Sequence, residues 1–223
     1  MSRQVTYRPP GPGERLLLVM DVDSTFIRQE VIELLAAHAG REAEVAAVTE
    51  AAMRGELDFA ASLRERVAAL AGLPETVFAD VLAAVEVTPG ARELVAELHR
   101  RGHVVALVSG GFVEVVRPLA EPMGIRHVEA NALEVRDGVL TGATAGPVVD
   151  RAGKARALRR IAAEEDIPLT ATVAVGDGAN DLDMIAAAGL GVAFAAKPVL
   201  AEHADVALPG PSLLDVLPHL QLD

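Results

Sequence analysis

Cysteine and tryptophan are absent from this chain and tyrosine occurs once. Without cysteine there is no disulfide framework, no thiol nucleophile and no thiolate metal site, and a reducing compartment is tolerated. The scarcity of large rings, 3% aromatic, argues against an aromatic-rich β-sandwich and for many small, tightly packed helices. Long apolar runs are missing as well. The first strong one, Leu16 to Met20, ends at Asp21 and is far too short to cross a bilayer or to form a signal-peptide core. The expected location is cytoplasmic, with no membrane partner. Basic charge is also in deficit: 32 acidic against 20 basic residues give a formal charge of −12. That excludes a duplex nucleic-acid partner, which needs a cationic face. The same acidity would repel an anionic substrate unless a metal or local cations intervene.

What is present is apolar and rhythmic. The chain has 223 residues, 51% of them hydrophobic, which suits one core domain with a modest insertion. Residues 1–14, rich in Pro and Gly, are expected to form a loose N-terminal arm. Arg15 to Met20 predicts a buried strand. From Glu30 to Val85 the period changes to helical, with helices expected over Glu30–Ala39 (Gly40 as its C-cap), Glu42–Arg54, Asp58–Leu70 and Pro74–Ala84. Beyond Pro89, strands alternate with helices: helix Ala91–Arg101, strand His103–Val108, helix Val113–Met123 weakened by Pro118 and Pro122, helix Ala152–Asp166, strand Thr172–Gly176, helix Asp181–Ala188 and strand Gly191–Phe194. Asp137-Gly138 between two short apolar runs signals a two-residue hairpin. The expectation is an α/β fold: a Rossmann-like parallel sheet core, residues 15–29 and 87–223, with an inserted helical-bundle cap at 30–86.

In parallel sheets ligands gather at the carboxyl ends of the strands, and three predicted strands end in polar residues. Asp21-Val22-Asp23-Ser24-Thr25 follows the first. Extended residues two apart point the same way, so both carboxylates enter one site while Val22 faces the core. Two acids so close raise each other's pKa unless a cation sits between them, and oxygen ligands without thiolates suggest magnesium. A turn-forming Asp cluster is the plainer alternative. Ser109-Gly110-Gly111 follows the second strand and lets backbone N–H groups approach a phosphate. Gly176-Asp177-Gly178-Ala179-Asn180-Asp181 follows the third. Asp177 is placed to supply a further metal ligand, and Asp181 to hold a metal-bound water or orient a cation; Asn180 or Asp181 could equally cap a helix. Lys154, on a basic helix, is either a solvated surface residue or the fixed positive charge these strand ends require.

DxDST, the hydroxyl–glycine strand end, a downstream Lys and GDGAND, in that order, resemble the haloacid dehalogenase superfamily of phosphotransferases over about residues 15 to 215. The resemblance implies that Asp21 is the nucleophile and Asp23 the general acid/base. It further implies that Asp21, Asp23 (or the Val22 carbonyl) and Asp177 hold Mg2+, and that Ser109, Gly110, Lys154 and Asn180 bind the phosphoryl end. The stretch from DVDST through AAMRGELDF to SLRERV is similar to the phosphoserine phosphatase branch. There Glu30 and Arg66 would recognise the ammonium and carboxylate of the amino acid, and Met53 and Phe59 would line the pocket.

Each cap residue has a bland counterpart: a helix-start acid, a surface ion pair, ordinary packing. Val22 stands where the branch often has Phe. Residues 1–14 are too short for the regulatory ligand-binding domain of some relatives, so feedback through one is not expected. The expected activity is hydrolysis of O-phospho-L-serine, the last step of serine biosynthesis, by a monomer or homodimer. The alternatives are transfer of the phosphoryl group to homoserine, a phosphatase of another small ester, or a catalytically silent phospho-ligand sensor.

Overall fold

The computed structural model describes residues 6–53 and 59–222; the side chains of residues 50–53 and 59 lie outside the described set. The first strand, β1 (Leu17–Met20), is buried on both faces. Such a strand reads as a continuous apolar run because helices cover the sheet from above and below. The chain then turns sharply at Val22–Phe26, where Ser24 takes a left-handed φ of 57°, and enters four helices. These are α1 (Val31–Ala39), α2 (Glu42–Met53), α3 (Phe59–Ala68) and α4 (Val77–Ala84). Gly40 closes α1 at φ 63°, the left-handed C-cap that a glycine adopts without strain.

The core resumes with α5 (Ala91–Arg100), β2 (Val104–Phe112), α6 (Val113–Ala120), β3 (His127–Arg136) and β4 (Val139–Ala145). It continues through α7 (Arg151–Glu164), β5 (Thr172–Gly176), α8 (Leu182–Ala187), β6 (Leu190–Phe194), α9 (Pro198–Ala201) and β7 (Val206–Leu208). The seven strands are ordered β4-β3-β2-β1-β5-β6-β7. All neighbours pair in parallel except β3 with β4. At the β3–β4 turn Asp137 and Gly138 both have positive φ, 53° and 77°, as a two-residue hairpin of this hand requires.

Alternation along β1 divides the interior. Leu18 and Met20 join the cluster with α5 and α6, whereas Leu17 and Val19 join the one with α7 and α8. Each fully buried Leu contributes roughly 1.5–3 kcal/mol, so sheet and both helical layers stand or fall together. Backbone hydrogen bonds among the described residues tie the helical insertion to the core at its root and at its far side. At its root Ile27 bridges Val87, Thr88 N donates to Phe26 O at 2.9 Å and Arg28 N to Glu86 O at 3.0 Å. At its far side Gly72 N donates to Leu140 O (2.9 Å), Leu140 N to Leu73 O (2.8 Å) and Glu75 N to Gly138 O (2.9 Å). The β3–β4 hairpin thus grips the connection between α3 and α4 by backbone pairing.

Three features depart from the expectations. β2 runs on through Ser109-Gly110-Gly111 to Phe112, and β3 begins at His127; their parallel pairing shifts register after Val108 and resumes at Phe112 opposite Asn131, beyond the polar residues that break the apolar pattern. β7 is a three-residue edge strand with too little sequence to signal itself. Residues 6–14, expected as a loose arm, pack on the core: Tyr7 Oη donates to Leu220 O at 2.6 Å, and Arg8 N donates to Thr170 O at 2.8 Å. Burial pushes the Tyr7 phenol up to about 12. Among the described residues no helix is long and apolar enough to cross a membrane.

Candidate active site

The three polar strand ends meet at the carboxyl edge of β1, β2 and β5. Asp21 follows β1 and is 2% exposed. Its backbone N–H donates to Val175 O at 2.9 Å, and its Oδ1 accepts the Val22 N–H at 2.7 Å. Val22 is fully buried, leaving both aspartates of the motif on the site side. Lys154 sits in the first turn of α7, whose N-cap Asp150 accepts the Gly153 N–H at 2.6 Å. Only 1% exposed, its Nζ lies 2.7 Å from Asp21 Oδ1 and 2.7 Å from Asp181 Oδ1. The two carboxylates hold the ammonium above its ordinary pKa despite burial.

Asp181 has a larger part than the sequence suggested. Fully buried, it binds Lys154 through Oδ1 and accepts the Asp177 and Gly178 N–H groups through Oδ2 at 3.1 and 3.2 Å. A Cβ at Gly176 would lie 2.4 Å from Asp181 Cγ, so glycine is needed there for the turn to close over the carboxylate. Asp177 is half-buried and accepts from Thr25 Oγ1 at 3.3 Å. Ligand oxygens of Asp21, Asp177 and Asp181 lie within 4.8 Å of one another. The expected metal set was Asp21, Asp23 and Asp177; the geometry groups Asp181 with the first and last, and Asp23 stands outside that group. The Val22 carbonyl, the other option, accepts the Ile27 N–H at 2.9 Å. Three carboxylates facing one ammonium leave an excess of negative charge, and all-oxygen donors fit a hard divalent cation.

The Oδ1 of Asp23 is buried without a hydrogen-bond partner among the described residues. Burial, followed by the charge of Glu30, pushes its pKa up to about 8. Asp177 is pushed to about 6, first by burial and then by Asp181. Asp21 is raised as well, by burial and by Asp181. From β2, Ser109 is fully buried, and its Oγ accepts the Gly111 N–H at 2.7 Å. A side chain at Gly111 would meet Asp23 Oδ2 at 2.7 Å, so this glycine admits Asp23 to the site. Gly110 and Asn180 flank the cluster, both half-buried.

The raised carboxylates make a linkage prediction. A folded pKa above the unfolded value means that the folded chain holds extra protons, so its stability falls as pH rises through the window from about 4 to about 8. A divalent cation reverses that by favouring the ionised forms. Magnesium binding to chelator-treated protein at pH 7 is therefore expected to release protons, measurable as a dependence of calorimetric heat on buffer ionisation enthalpy. The gain in thermal midpoint on adding magnesium should be larger at pH 8 than at pH 5.5. A buffer-independent heat would show that the cation avoids these carboxylates.

On the cap side, Ser24 donates to Glu30 Oε1 at 2.7 Å. Arg66, on α3, is half-buried and donates through Nε to Ser62 O at 3.3 Å. Burial lowers its pKa, while the negative charges of Glu30, Asp23 and Glu33 raise it. The side chains of Met53 and Phe59, expected in this pocket, lie outside the described residues. Asn131, a buried amide in β3, also belongs to the site region and carries no motif in the sequence. Its only signal was a polar residue at an inward position between Ala130 and Ala132.

A sheet whose carboxyl edge presents this carboxylate group, a buried ammonium and a glycine-rich hydroxyl turn defines the class of α/β proteins equipped for phosphoryl chemistry. The chain belongs to the haloacid dehalogenase-like hydrolases, whose family model matches residues 18–186. Within that family it is 57% identical over 201 residues to the phosphoserine phosphatase SerB2 of Mycobacterium tuberculosis, covering 90% of this chain and 49% of that one. It is 53% identical to the phosphoserine phosphatase of Streptococcus thermophilus, covering 90% and 94%. The chain therefore spans about half the length of the mycobacterial relative and nearly all of the streptococcal one. A solved structure described as a phospho-aspartyl intermediate analogue of phosphoserine phosphatase superposes with a TM-score of 0.86 at 43% identity, over 92% of this chain and 98% of that one.

Proposed function

We propose that this protein is a magnesium-dependent phosphatase that hydrolyses O-phosphoserine to serine and phosphate through an aspartyl phosphate on Asp21. The observation that carries the reading is the buried Lys154 held between Asp21 and Asp181, together with an Asp23 whose raised pKa favours the protonated form at neutral pH. An Asp21 carboxylate oxygen attacks phosphorus, and the bond from phosphorus to the seryl oxygen breaks. The leaving alkoxide takes the Asp23 proton, a step typically worth ~10²–10⁴-fold. Water then attacks phosphorus, the bond to Asp21 breaks, and Asp23 takes the proton that water loses. Lys154 and the Ser109 turn oppose the charge on the transferred group; a magnesium ion, which Asp21, Asp177 and Asp181 would hold, would supply further electrostatic stabilisation.

Glu30 and Arg66 supply the distinction among esters. An acid suits the ammonium of phosphoserine, and a guanidinium fork suits its carboxylate. Arg66→Ala is expected to raise KM for phosphoserine about 30- to 100-fold, the cost of leaving a desolvated carboxylate unpaired. Turnover of an aryl phosphate, which lacks that carboxylate, should stay within about threefold. Equal losses on both substrates would remove Arg66 from recognition. The protein would act in the cytoplasm, on a small phosphomonoester, at the end of serine biosynthesis.

The decisive experiment is phosphate release from a panel of small phosphomonoesters with magnesium and with chelator. Strong preference for phosphoserine, lost on chelation, is the expected result. Magnesium-dependent activity favouring another ester would keep Asp21 and Asp23 in their roles and discard the reading of Glu30 and Arg66.

A further inference from the structure

We infer that Asn131 is a positioning residue that sets the phosphate-binding turn against the helix carrying Lys154. The inference rests on the reading above, in which Ser109 and Lys154 hold the phosphoryl group. Asn131 lies in β3 opposite Phe112, where pairing with β2 resumes after a register shift, and it is 1% exposed. Its Nδ2 donates to Gly110 O at 2.7 Å, and its Oδ1 accepts the Val149 N–H at 2.7 Å. The partners force that orientation of the amide, since a carbonyl can only accept and a peptide N–H only donate. Gly110 is the residue after Ser109. Val149 precedes Asp150, the N-cap that starts α7 and so fixes where Lys154 enters the site. One buried side chain therefore spans the two segments whose functional groups must converge on one phosphoryl position.

A primary amide is suited to this place. It offers a donor end and an acceptor end at a fixed separation, which leucine lacks on both sides and aspartate on one. Asparagine is otherwise disfavoured within strands, so its presence at an inward position of β3 calls for a compensating role. Both ends are satisfied, which makes the link rigid. Displacement of a catalytic group by about 1 Å can cost about 10²-fold in rate. The strut acts on the phosphoryl end alone, remote from Glu30 and Arg66 in the chain and bonded to neither.

The test compares Asn131→Leu, which conserves bulk and loses both bonds, with Asn131→Gln and with Ser109→Ala. Each is assayed for turnover of phosphoserine and an aryl phosphate, for competitive inhibition by inorganic phosphate, and for its thermal midpoint. Asn131→Leu is expected to lower kcat about 10²-fold on both substrates alike and to raise the inhibition constant of phosphate about tenfold, with Asn131→Gln recovering part of each. Wild-type kcat and phosphate inhibition in folded Asn131→Leu, with only the thermal midpoint lowered, would reduce Asn131 to a structural residue and overturn the inference. Should Asn131→Leu fail to fold, Asn131→Gln decides by the same two constants. Ser109→Ala separates the layers: an unchanged phosphate inhibition constant there overturns the parent assignment of Ser109. A raised constant in Ser109→Ala beside wild-type constants in both Asn131 variants overturns the strut alone.

Discussion

Replacing Asp21 by Asn is expected to lower phosphate release by about 10⁴-fold or more, the scale on which removing a covalent nucleophile acts. The substitution keeps shape and takes away the attacking oxygen's charge. It also removes one of the three carboxylates of the acidic cluster and one of the two that contact Lys154. Burial and Asp181 already penalise the ionised form of Asp21, so the neutral amide relieves repulsion, and Lys154 retains Asp181 at 2.7 Å. Folding stability without metal should thus hold steady or rise, which separates lost chemistry from lost fold. Acid quenching of the enzyme with labelled phosphoserine checks the assignment directly. Label should remain on the wild-type chain after denaturation and be absent from Asp21→Asn. Undiminished turnover in a folded Asp21→Asn protein would transfer the nucleophile to another group, with Asp23 the next candidate by position.

How far the residues announced this arrangement depends on which kind of information each place used. The β1 strand was legible because a parallel strand buried on both faces must be apolar throughout, so the first polar residue, Asp21, marks its end. The turn at Asp137-Gly138 was legible because two consecutive positive φ values restrict the residues that can sit there. Packing of residues 6–14 was hidden, since Tyr7 finds Leu220 across the whole length of the chain and nothing local reports that contact. Within the site, Asp21, Asp23, Asp177 and Lys154 could be singled out by type and position. Which carboxylates share the cluster could not, because the buried position of Asp181 follows from the close turn at Gly176. Asn131 escaped for a related reason. Its two partners, Gly110 and Val149, are brought together only by the pairing of β3 with β2 and by the entry into α7.

Lys154→Ala carries the other large expectation, on stability and activity together. The ammonium is 1% exposed and contacts two carboxylates that are themselves buried. Deleting one partner of a buried ion network, with the opposite charges left behind, costs about 3–5 kcal/mol. The loss should depend on pH with a definite sign. Lys154 is what holds the raised pKa of Asp21 down; without it that folded pKa rises further above the unfolded one, so the variant recovers stability as pH falls and Asp21 takes up a proton. Urea unfolding in the presence of chelator should therefore show a larger deficit at pH 8 than at pH 5, and magnesium should offset part of it at pH 8. Activity should fall by about 10²–10³-fold even where the variant is folded, the usual consequence of removing one preorganised charge from a developing oxyanion. Lys154→Arg should fail to restore it, because a planar fork with a bulkier head cannot place one nitrogen 2.7 Å from both Asp21 and Asp181 in a space shaped for an ammonium. Equal stability of Lys154→Ala and the wild type at pH 8 would mean that solvent or another cation already screens these carboxylates, and the site would then be far more open than its buried side chains imply.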